Sequence, residues 1–481
     1  MGERPGTHYL EGMSEADPLF ATLRQSADAD AVAAIENLVR EGKDRDLCRI
    51  NALAFAGQHG LNEQKVISAF LHAARLGLFE LSWNVLCPSC SGVLDAGTSL
   101  KSVRDHEYCA FCSAGYEPTL DETVEVTFTV APRVRPIAAH KPNDLSFQEY
   151  IRQLFFGSGV DLPDDYPRRM DRIMLDAVEL PAGEKAQVSL QLPAGSVILF
   201  DPVTHAAQYF DVKGAPTTER RTLSIAYSKV KAATETTEIQ PGPVRLTLDN
   251  RSSDRVLPGL WFSGDEMNDM LGRRRPFLTA KHLLTNQTFR DLYRTDTLDI
   301  DQRLKITSLT FLFTDLKGST DLYERVGDLV AFDLVRNHFL ALNEIVADES
   351  GAVVKTIGDA VMATFPTPDR AVAAALRMRD AMADLNRHRN SEDLLLKIGI
   401  HEGPCLAVNL NERQDYFGQT VNIASRILSA ADRPRSGVGN VAMTASPMVL
   451  TTAPASAATM LLRTSKWVLT RSNATRSPTR S

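Results

Sequence analysis

Apolar residues recur at spacings of three and four along residues 15–84, which is the pattern of amphipathic helices. The segments LFATLRQ, VAAIENLVREG and VISAFLHAARLGLFEL each show this spacing. Helices joined by a short turn and followed by an extended stretch at 78–83 predict a small winged-helix-like module. A three-helix cap with no role in DNA binding is the alternative, because the segment has no basic recognition face.

The pattern changes to alternating or short continuous apolar runs between residues 118 and 262, which predicts a mainly-β regulatory region. VEVTFTVAP, AQVSLQL, SVILFDP, AQYFDV, RTLSIAYSKV and VRLTLDN are its predicted strands, separated by Pro, Gly and Asn. One helix around residues 146–156 interrupts them. Residues 263–304 are charged and mostly helical in pattern, so we interpret them as a connector.

Residues 305–432 have the most regular pattern in the chain. SLTFLFT predicts a buried strand, and AVVKTI and AVMATF flank Gly358 and Asp359, a two-residue hairpin signal. Asp369 can cap a long helix after Pro368, and LLLKIGI supplies a fourth strand. The order β-α-β-β-α-β predicts a ferredoxin-like domain within a multidomain α+β protein. The helix after the first strand has a predicted apolar face formed by Leu329, Phe332, Val335, Phe339, Leu342 and Val346.

Composition and charge narrow the class of protein. The length of 481 residues indicates two to four domains, and 43% hydrophobic with 23% charged residues is ordinary for a globular protein. The net charge of −7 conceals an asymmetry, because residues 433–481 carry seven Lys or Arg and no acid, which leaves −14 for the rest. This acidic body argues against nucleic acid as a partner.

No segment predicts secretion or a membrane span. The N-terminus lacks an apolar core and carries early acids, unlike a secretory signal. The longest uncharged run, 436–462, contains Pro447 and Pro454 and is rich in Ser, Thr and Ala, which makes it a poor transmembrane helix. We therefore expect a cytoplasmic protein with no membrane partner.

Four of the six cysteines form two CxxC pairs within residues 85–117. Each CxxC turn lets two thiolates face one ion, and the 18-residue spacer is long enough for a hairpin that completes a tetrahedral set. The pairs resemble the knuckles of a zinc ribbon with one structural Zn²⁺, in a reducing compartment. Cys48 and Cys405 are interpreted as packing residues, and His106 as an unneeded further ligand. The predicted zinc ligands are Cys87, Cys90, Cys109 and Cys112.

Two acidic residues are predicted to meet at one edge of the ferredoxin-like sheet. Asp315 lies just past the first strand, and Asp359 lies at the tip of the hairpin. If these strands are neighbours, both carboxylates form an oxygen-rich site suited to Mg²⁺ or Mn²⁺ held jointly with substrate phosphates. Gly318 and Ser319 follow at a helix start, where free N–H groups can receive phosphate oxygens. Either aspartate alone would be interpreted as a turn residue or a helix cap.

Four ordered motifs in this region resemble the class III adenylate and guanylate cyclases. FTDLKGST and KTIGDAVMATF are similar to the two metal-carboxylate segments of that family. IGIHEGPCLAV and DYFGQTVNIASRI resemble its following strand and its transition-state helix. The resemblance implies that Asp315 and Asp359 bind two Mg²⁺ or Mn²⁺ ions per active site, which assist attack of the ribose 3′-OH on the α-phosphorus.

Lys355 and Asp415 stand at the positions that select the base in that family. A lysine can donate to adenine N1 and a carboxylate can accept from the exocyclic amine, whereas guanine presents the reverse pattern, so the pair favours ATP. The resemblance gives Asn422 the role of orienting the ribose and Arg426 that of stabilising charge on the reacting phosphate. Without the surrounding motif, we would interpret Lys355 as an exposed lysine and Asp415 as a loop aspartate. Asn422 and Arg426 would be interpreted as part of a solvated helix face.

The resemblance also implies an assembly. In that family the metal aspartates come from one subunit, and the base-selecting pair and the Asn and Arg come from its partner. All six residues are present in this chain, so a symmetric homodimer with two complete sites is expected. The region before residue 263 resembles an uncharacterised region of some bacterial cyclases, and we interpret it as a regulatory input with an unknown ligand or protein partner.

The resemblance stops after Ala430. Residues 433–481 are acid-free and weakly periodic, so they are interpreted as an atypical basic, disordered tail or as a segment altered by a frameshift, and the last sheet edge of the family is missing. Three functions remain. They are an active adenylate cyclase, a catalytically impaired cyclase homologue that acts as a regulatory partner, and a nucleic-acid-binding regulator built on the helical and zinc modules.

Overall fold

The computed structural model describes residues 6–228, 236–293, 302–389, 394–410, 413–430, 441–444 and 467–468. The chain divides into two compact units. The N-terminal unit comprises residues 1–118 and 122–280, and the C-terminal unit comprises residues 119–121 and 281–481. No helix within the described ranges is long and apolar enough to cross a lipid bilayer.

The N-terminal unit starts with helices and continues into small sheets. Its helices are α1 (Gly6–Ser26), α2 (Ala29–Glu41), α3 (Ala52–His59), α4 (Glu63–Arg75), α5 (Phe147–Tyr150, continued by a π-helical turn at Ile151–Phe155), α6 (Tyr166–Ile173) and α7 (Asp265–Gly272). Its strands are β1 (Phe79–Leu86), β2 (Val93–Gly97), β3 (Glu107–Cys109), β4 (Ala114–Tyr116), β5 (Val124–Val130), β6 (Met174–Ala177), β7 (Lys185–Leu192), β8 (Gly195–Asp201), β9 (Ala206–Val212), β10 (Arg221–Tyr227), β11 (Thr236–Ile239), β12 (Gly242–Asn250) and β13 (Gly259–Phe262).

The predicted boundaries at residues 84 and 117 fall inside a single sheet. Strand β1 follows the predicted helical module, β2 lies in the predicted ribbon and β5 lies in the predicted β region, yet the three pair in the order β2-β1-β5. The sequence pattern shows β1 only as an extended stretch. Its buried residues include both Val85 and Leu86, which project to opposite faces, so the strand is covered on both sides at this end.

The six strands predicted between residues 118 and 262 are all present as β5, β7, β8, β9, β10 and β12. The helix expected at 146–156 is α5 with its π-helical turn. Helix α6 was not predicted, because its buried residues, Tyr166, Met170 and Ile173, make too short a periodic pattern. The short strands β6, β11 and β13 were also missed.

The C-terminal unit has a mixed sheet covered by helices. Its helices are α8 (Ala280–Leu284, which starts at the unit boundary), α9 (Gln287–Leu292), α10 (Ser319–Val326), α11 (Asp328–Asp348), α12 (Pro368–Arg389) and α13 (Gln419–Ala430). Its strands are β14 (Leu304–Leu316), β15 (Ala352–Ile357), β16 (Ala360–Phe365), β17 (Leu396–Leu410), β18 (Arg413–Phe417), β19 (Val441–Thr444) and β20 (Trp467–Val468).

The strand order of this sheet is β15-β16-β14-β17-β19-β20, and β18 pairs with β17. Strands β15, β16, β14 and β17 pair antiparallel, with α10 and α11 after β14 and α12 after β16. This is the predicted β-α-β-β-α-β arrangement. The expected turn is present, since Gly358 has φ of +63° between β15 and β16, a conformation that glycine adopts without strain.

Helix α11 buries part of the predicted face, with Phe339 half-buried against the core. Val335, Leu342 and Val346 are buried, but Leu329 is 84% and Phe332 61% exposed. The prediction of these two as core residues is wrong, because the buried stripe at this end of the helix passes through Ala331, Leu334 and His338, and Leu329 and Phe332 lie on other sides of the helix. The predicted cap of α12 also differs. The helix starts at Pro368, so Asp369 lies in its first turn, where a carboxylate favours the helix dipole.

Part of the sheet edge that was expected to be missing is present as strand β19. Strand β19 pairs in parallel with residues 398–401 of β17. The segment 433–481 was predicted to be a disordered basic tail. Apart from β19 and β20, that prediction lies outside the described residues.

Helix α13 packs closely on β17 at Gly399. A Cβ atom at Gly399 would lie 2.7 Å from Leu428 N and 2.9 Å from Ala424 O, both backbone atoms of α13. Any larger side chain must therefore push the helix away from the sheet.

Gly399→Val should destabilise the C-terminal unit by about 1–3 kcal/mol, because overpacking displaces α13. Differential scanning calorimetry would measure the loss, and hydrogen exchange would assign it to α13. Gly57→Ala in helix α3 is the control, since a Cβ there meets no atom within 4 Å and should cost nothing. Unchanged exchange at α13 in Gly399→Val would contradict this prediction.

Candidate active site

The sheet brings Asp315 and Asp359 to one edge. Asp315 is the second-last residue of β14, and Asp359 lies in the turn between β15 and β16. Because β14 pairs with β16 up to Thr314 and Val361, the turn folds back onto the end of β14. The backbone N–H of Leu316 donates to Asp359 Oδ2 at 3.2 Å. The two acidic residues, 44 positions apart in the sequence, are thus neighbours in the fold.

Lys397 was not predicted as a site residue. It lies opposite Asp315 in the β14–β17 register, and its Nζ is 2.6 Å from Asp315 Oδ2. Within the described part of the chain, Oδ1 of Asp315 and Oδ1 of Asp359 have no hydrogen-bond partner. These half-buried carboxylate oxygens are the donors that Mg²⁺ and Mn²⁺ prefer, so the residues fit a divalent cation. Pairing with Asp315 could have identified Lys397 once the register was known.

His338 on α11 is buried beside this edge. Burial lowers its pKa to about 4, although the nearby Asp359 raises it. The imidazole is therefore neutral near pH 7 and adds no positive charge beside Asp359. Its Nδ1 lies 3.5 Å from Met382 Sδ. The sequence pattern gave no signal for this residue beyond its place on an amphipathic helix.

Gly318 and Ser319 form the start of α10. Gly318 has φ of +71° and precedes the helix, and no side chain caps the helix at this position. The first N–H groups of α10 lack a side-chain acceptor there, and Ser319 is half-buried. A helix start of this kind, three residues after Asp315, can receive an anionic oxygen.

Lys355 and Asp415 are in contact. Lys355 lies on β15 and Asp415 on β18, and Lys355 Nζ is 2.5 Å from Asp415 Oδ2. The lysine side chain is 43% exposed and the aspartate side chain 13%. Asp415 Oδ1 accepts from Tyr416 N at 2.8 Å, which holds the carboxylate in place. A donor and an acceptor thus lie side by side, as one edge of a nucleobase requires.

Asn422 and Arg426 lie on one exposed face of α13, opposite the buried Ala424. Neither side chain has a hydrogen bond or ion pair with a described residue, and none joins them to Asp315 or Asp359. Within one chain, therefore, Asp315 lies beside Asp359 and Lys355 lies beside Asp415. Among the described residues, the two α13 residues have no polar contact with the acidic edge.

The four predicted zinc ligands form a cluster in the N-terminal unit. Their Sγ atoms all lie within 4.8 Å of one another, a group that could hold a metal ion. The residue after each CxxC pair, Ser91 and Ser113, has a left-handed backbone, with φ of +58° and +51°. The two turns are thus built alike, and Gly92 N donates to Cys90 Sγ at 3.3 Å. Hydrogen bonds from the neighbouring thiols, Cys109 first, hold the pKa of Cys87 far below its ordinary value. The cluster residues are Cys87, Cys90, Cys109 and Cys112.

These features define the class of the C-terminal part. Residues 302–453 match the adenylate and guanylate cyclase catalytic domain. The chain thus contains a class III nucleotide cyclase catalytic domain. The match extends beyond Ala430 and the predicted limit at residue 432, and it includes β19, so the expectation that the resemblance stops at Ala430 is wrong. The altered composition after residue 433 concealed the match.

The larger part of the chain has a second match. Residues 13–291 match a family of unknown function, DUF5939. This match covers more than half of the chain, so the protein belongs to the DUF5939 family. It includes the four cysteines of the cluster, and it ends within helix α9.

Relatives of the cyclase domain include enzymes of both specificities. Adenylate cyclase 2 of Rhizobium meliloti is 35% identical over 129 residues, which are 24% of this chain and 35% of the relative. Guanylate cyclase 32E of Drosophila melanogaster is 30% identical over 139 residues, which are 26% of this chain and 12% of the relative. The chain thus spans 35% and 12% of the length of these two curated relatives. The crystal structure of the adenylyl cyclase CyaB from P. aeruginosa is similar at 26% identity over 30% of this chain and 79% of that chain, with a TM-score of 0.27, too low for an argument of its own.

Proposed function

We propose that this protein is an adenylate cyclase that converts ATP to cyclic AMP and pyrophosphate. The contact between Lys355 and Asp415 carries the choice of ATP. The lysine Nζ can donate to adenine N1 while the carboxylate accepts from the exocyclic amine, and the 2.5 Å separation presents both groups to one base edge. Guanine has a protonated N1 and a carbonyl instead. Its N1–H would face the ammonium group of Lys355, so two hydrogen-bond donors would oppose each other.

The chemistry would occur at the acidic edge. The ribose 3′-oxygen attacks the α-phosphorus, the bond from that phosphorus to the bridging oxygen breaks, and pyrophosphate leaves. Divalent cations held by Asp315 and Asp359 would acidify the 3′-hydroxyl and neutralise the triphosphate. The first N–H groups of α10, at Ser319, can bind phosphate oxygens.

Asn422 and Arg426 would complete the site from a second copy of the chain. The amide of Asn422 would orient the ribose, and the guanidinium of Arg426 would stabilise charge on the reacting phosphate. Both side chains are exposed on α13 and free to reach a partner's acidic edge. A homodimer with two such sites follows.

The exposed apolar residues support this assembly. Every large apolar side chain that is exposed in the described part of the chain lies between residues 323 and 417. Phe417 is 62% and Ile357 58% exposed, and each lies two residues from a member of the Lys355–Asp415 pair. Exposed apolar groups concentrated on one domain are typical of an interaction surface.

The first prediction from this proposal concerns the reaction itself. Purified protein incubated with Mn²⁺ and ATP should form cyclic AMP, and with GTP much less cyclic GMP, as measured by chromatography. Asp359→Ala should lower the rate about a thousandfold or more, because a metal ligand is lost. Asp369→Ala is the control, since this exposed aspartate on α12 should keep full activity.

Lys355→Glu should shift the preference toward GTP, because a carboxylate can accept from guanine N1–H. Preferred use of GTP by the unaltered protein would overturn the choice of ATP. No product from either nucleotide would favour the impaired homologue.

The second prediction concerns the shared site. Asp359→Ala and Arg426→Ala should each be inactive alone, but an equimolar mixture should recover about a quarter of the unaltered activity, because half of the dimers regain one intact site. The measurement is cyclic AMP formation after subunit exchange. Activity per subunit should also fall on dilution through the dissociation range. An inactive mixture with proven exchange, or a constant rate on dilution, would contradict the shared site.

The third prediction concerns the cysteine cluster, which we propose binds one structural Zn²⁺. Four thiolates in a closed set are the ligands that structural zinc prefers. Purified protein should contain about one zinc per chain by mass spectrometry, and Cys112→Ser should lose it and unfold β3 and β4. Cys48→Ser, outside the cluster, should keep its zinc. Zinc-free protein with unchanged hydrogen exchange at β3 and β4 would rule out this role.

A further inference from the structure

Helix α9 is short but firmly held. Asn286 caps it by accepting from Phe289 N at 2.9 Å, and Phe289 is buried and stacks on Tyr293 with ring centroids 5.1 Å apart. The helix therefore presents its remaining side chains in fixed directions. Gln287 and Arg290, three positions apart, project from the same face.

Both residues of this face contact the backbone of β15 or β18. Gln287 Oε1 accepts from Val353 N at 2.9 Å. Arg290 Nη2 donates to Val354 O at 3.3 Å and to Gln414 O at 3.0 Å. One nitrogen thus joins β15 to β18, two strands that do not pair with each other in the sheet.

The carbonyl on β15 belongs to a bulge. The register with β16 shifts between Val353 and Lys355, which oppose Ala363 and Met362, so Val354 has no opposite residue. A bulge leaves such a carbonyl without its ladder partner and re-aims the next side chain. Arg290 binds this carbonyl, and the re-aimed side chain is Lys355.

The carbonyl that Arg290 binds on β18 likewise belongs to the residue before Asp415, the other member of the Lys355–Asp415 pair. Gln414 directly precedes Asp415, and Gln414 Nε2 donates to Tyr416 Oη at 2.8 Å. Tyr416 Oη donates in turn to Leu284 O in α8 at 3.4 Å. The segment 284–290 therefore contacts both neighbours of Asp415, Gln414 through its backbone carbonyl and Tyr416 through its side-chain hydroxyl.

We propose that Arg290 is a positioning residue for nucleobase selection, which sets the relative placement of Lys355 and Asp415. The proposal rests on the proposed function of that pair. Each carbonyl that Arg290 binds belongs to the residue before a member of the pair, so a shift of Arg290 changes the spacing of the two groups that would read the base. Arg290 lies within the DUF5939 match, which ends at residue 291. Base selection by the cyclase domain thus depends on a side chain from the other family's segment.

The test compares Arg290→Gln with the unaltered full-length protein, using Mn²⁺ with ATP and with GTP. The ratio of kcat/KM for ATP to that for GTP should fall about tenfold, mainly through a higher KM for ATP, because two charge-assisted hydrogen bonds are lost. The Mn²⁺ concentration for half-maximal rate should not change. Arg290→Lys should recover part of the ratio, and Arg377→Gln, an exposed arginine on α12, should leave it unchanged.

Hydrogen exchange separates this proposal from the proposed function. In Arg290→Gln, peptides that cover β15 and β18 should exchange faster, and those of β14 should not. If the unaltered protein prefers GTP or makes no product, the adenylate assignment fails, while exchange at β15 and β18 still decides the role of Arg290. Unchanged exchange at both strands, or equal loss of kcat for both nucleotides with an unchanged ratio, would overturn the proposal.

Discussion

The register of β14 between its two neighbours is the constraint on which the candidate site depends. It sets Thr314 against Val361 on one side and Asp315 against Lys397 on the other. The hydrogen bond from Leu316 N to Asp359 Oδ2 forms only in this register. A slip of one residue would turn Asp315 to the opposite face of the sheet and away from Lys397. The buried run of β14 prevents such a slip, since it would expose apolar side chains.

The acidic pair and the Lys355–Asp415 pair are built in different ways. The acidic edge forms where one strand ends beside one hairpin turn, so it follows directly from the pairing of β14 with β16. The contact of Lys355 with Asp415 joins an edge strand to β18, and no ladder connects them. Its geometry comes from side chains of α9, which contact both strands across 64 and 124 positions of sequence. The acidic pair is thus positioned by a local turn, and the Lys355–Asp415 pair by contacts from a helix that is distant in the sequence.

Much of the cyclase domain could be predicted from its sequence, because local signals determine it. The Gly358 turn, the long helices and the apolar strands each follow from residue type and period. The four cysteines also meet as their spacing indicates.

Sequence reasoning failed where the outcome depends on distant contacts. Lys397 and Arg290 carry no motif, and their partners are set by register and by tertiary packing. Leu329 and Phe332 fit a helical period along α11, but the buried stripe at that end of the helix passes through Ala331 and Leu334 instead. The sheet formed by β1, β2 and β5 crosses two predicted boundaries, since a period of two residues does not reveal which strands pair.

The ion pair between Lys397 and Asp315 has a consequence for charge balance. The ammonium group offsets one of two adjacent carboxylates, so the sheet edge does not need a bound cation to remain assembled. Under the proposed function, a divalent cation at this edge would compete with this lysine, and its net Coulomb gain would be the difference between the two attractions. A triphosphate adds negative charge that can attract the lysine and the ion together. Under the proposed function, cation and nucleotide would therefore favour each other's binding at this edge.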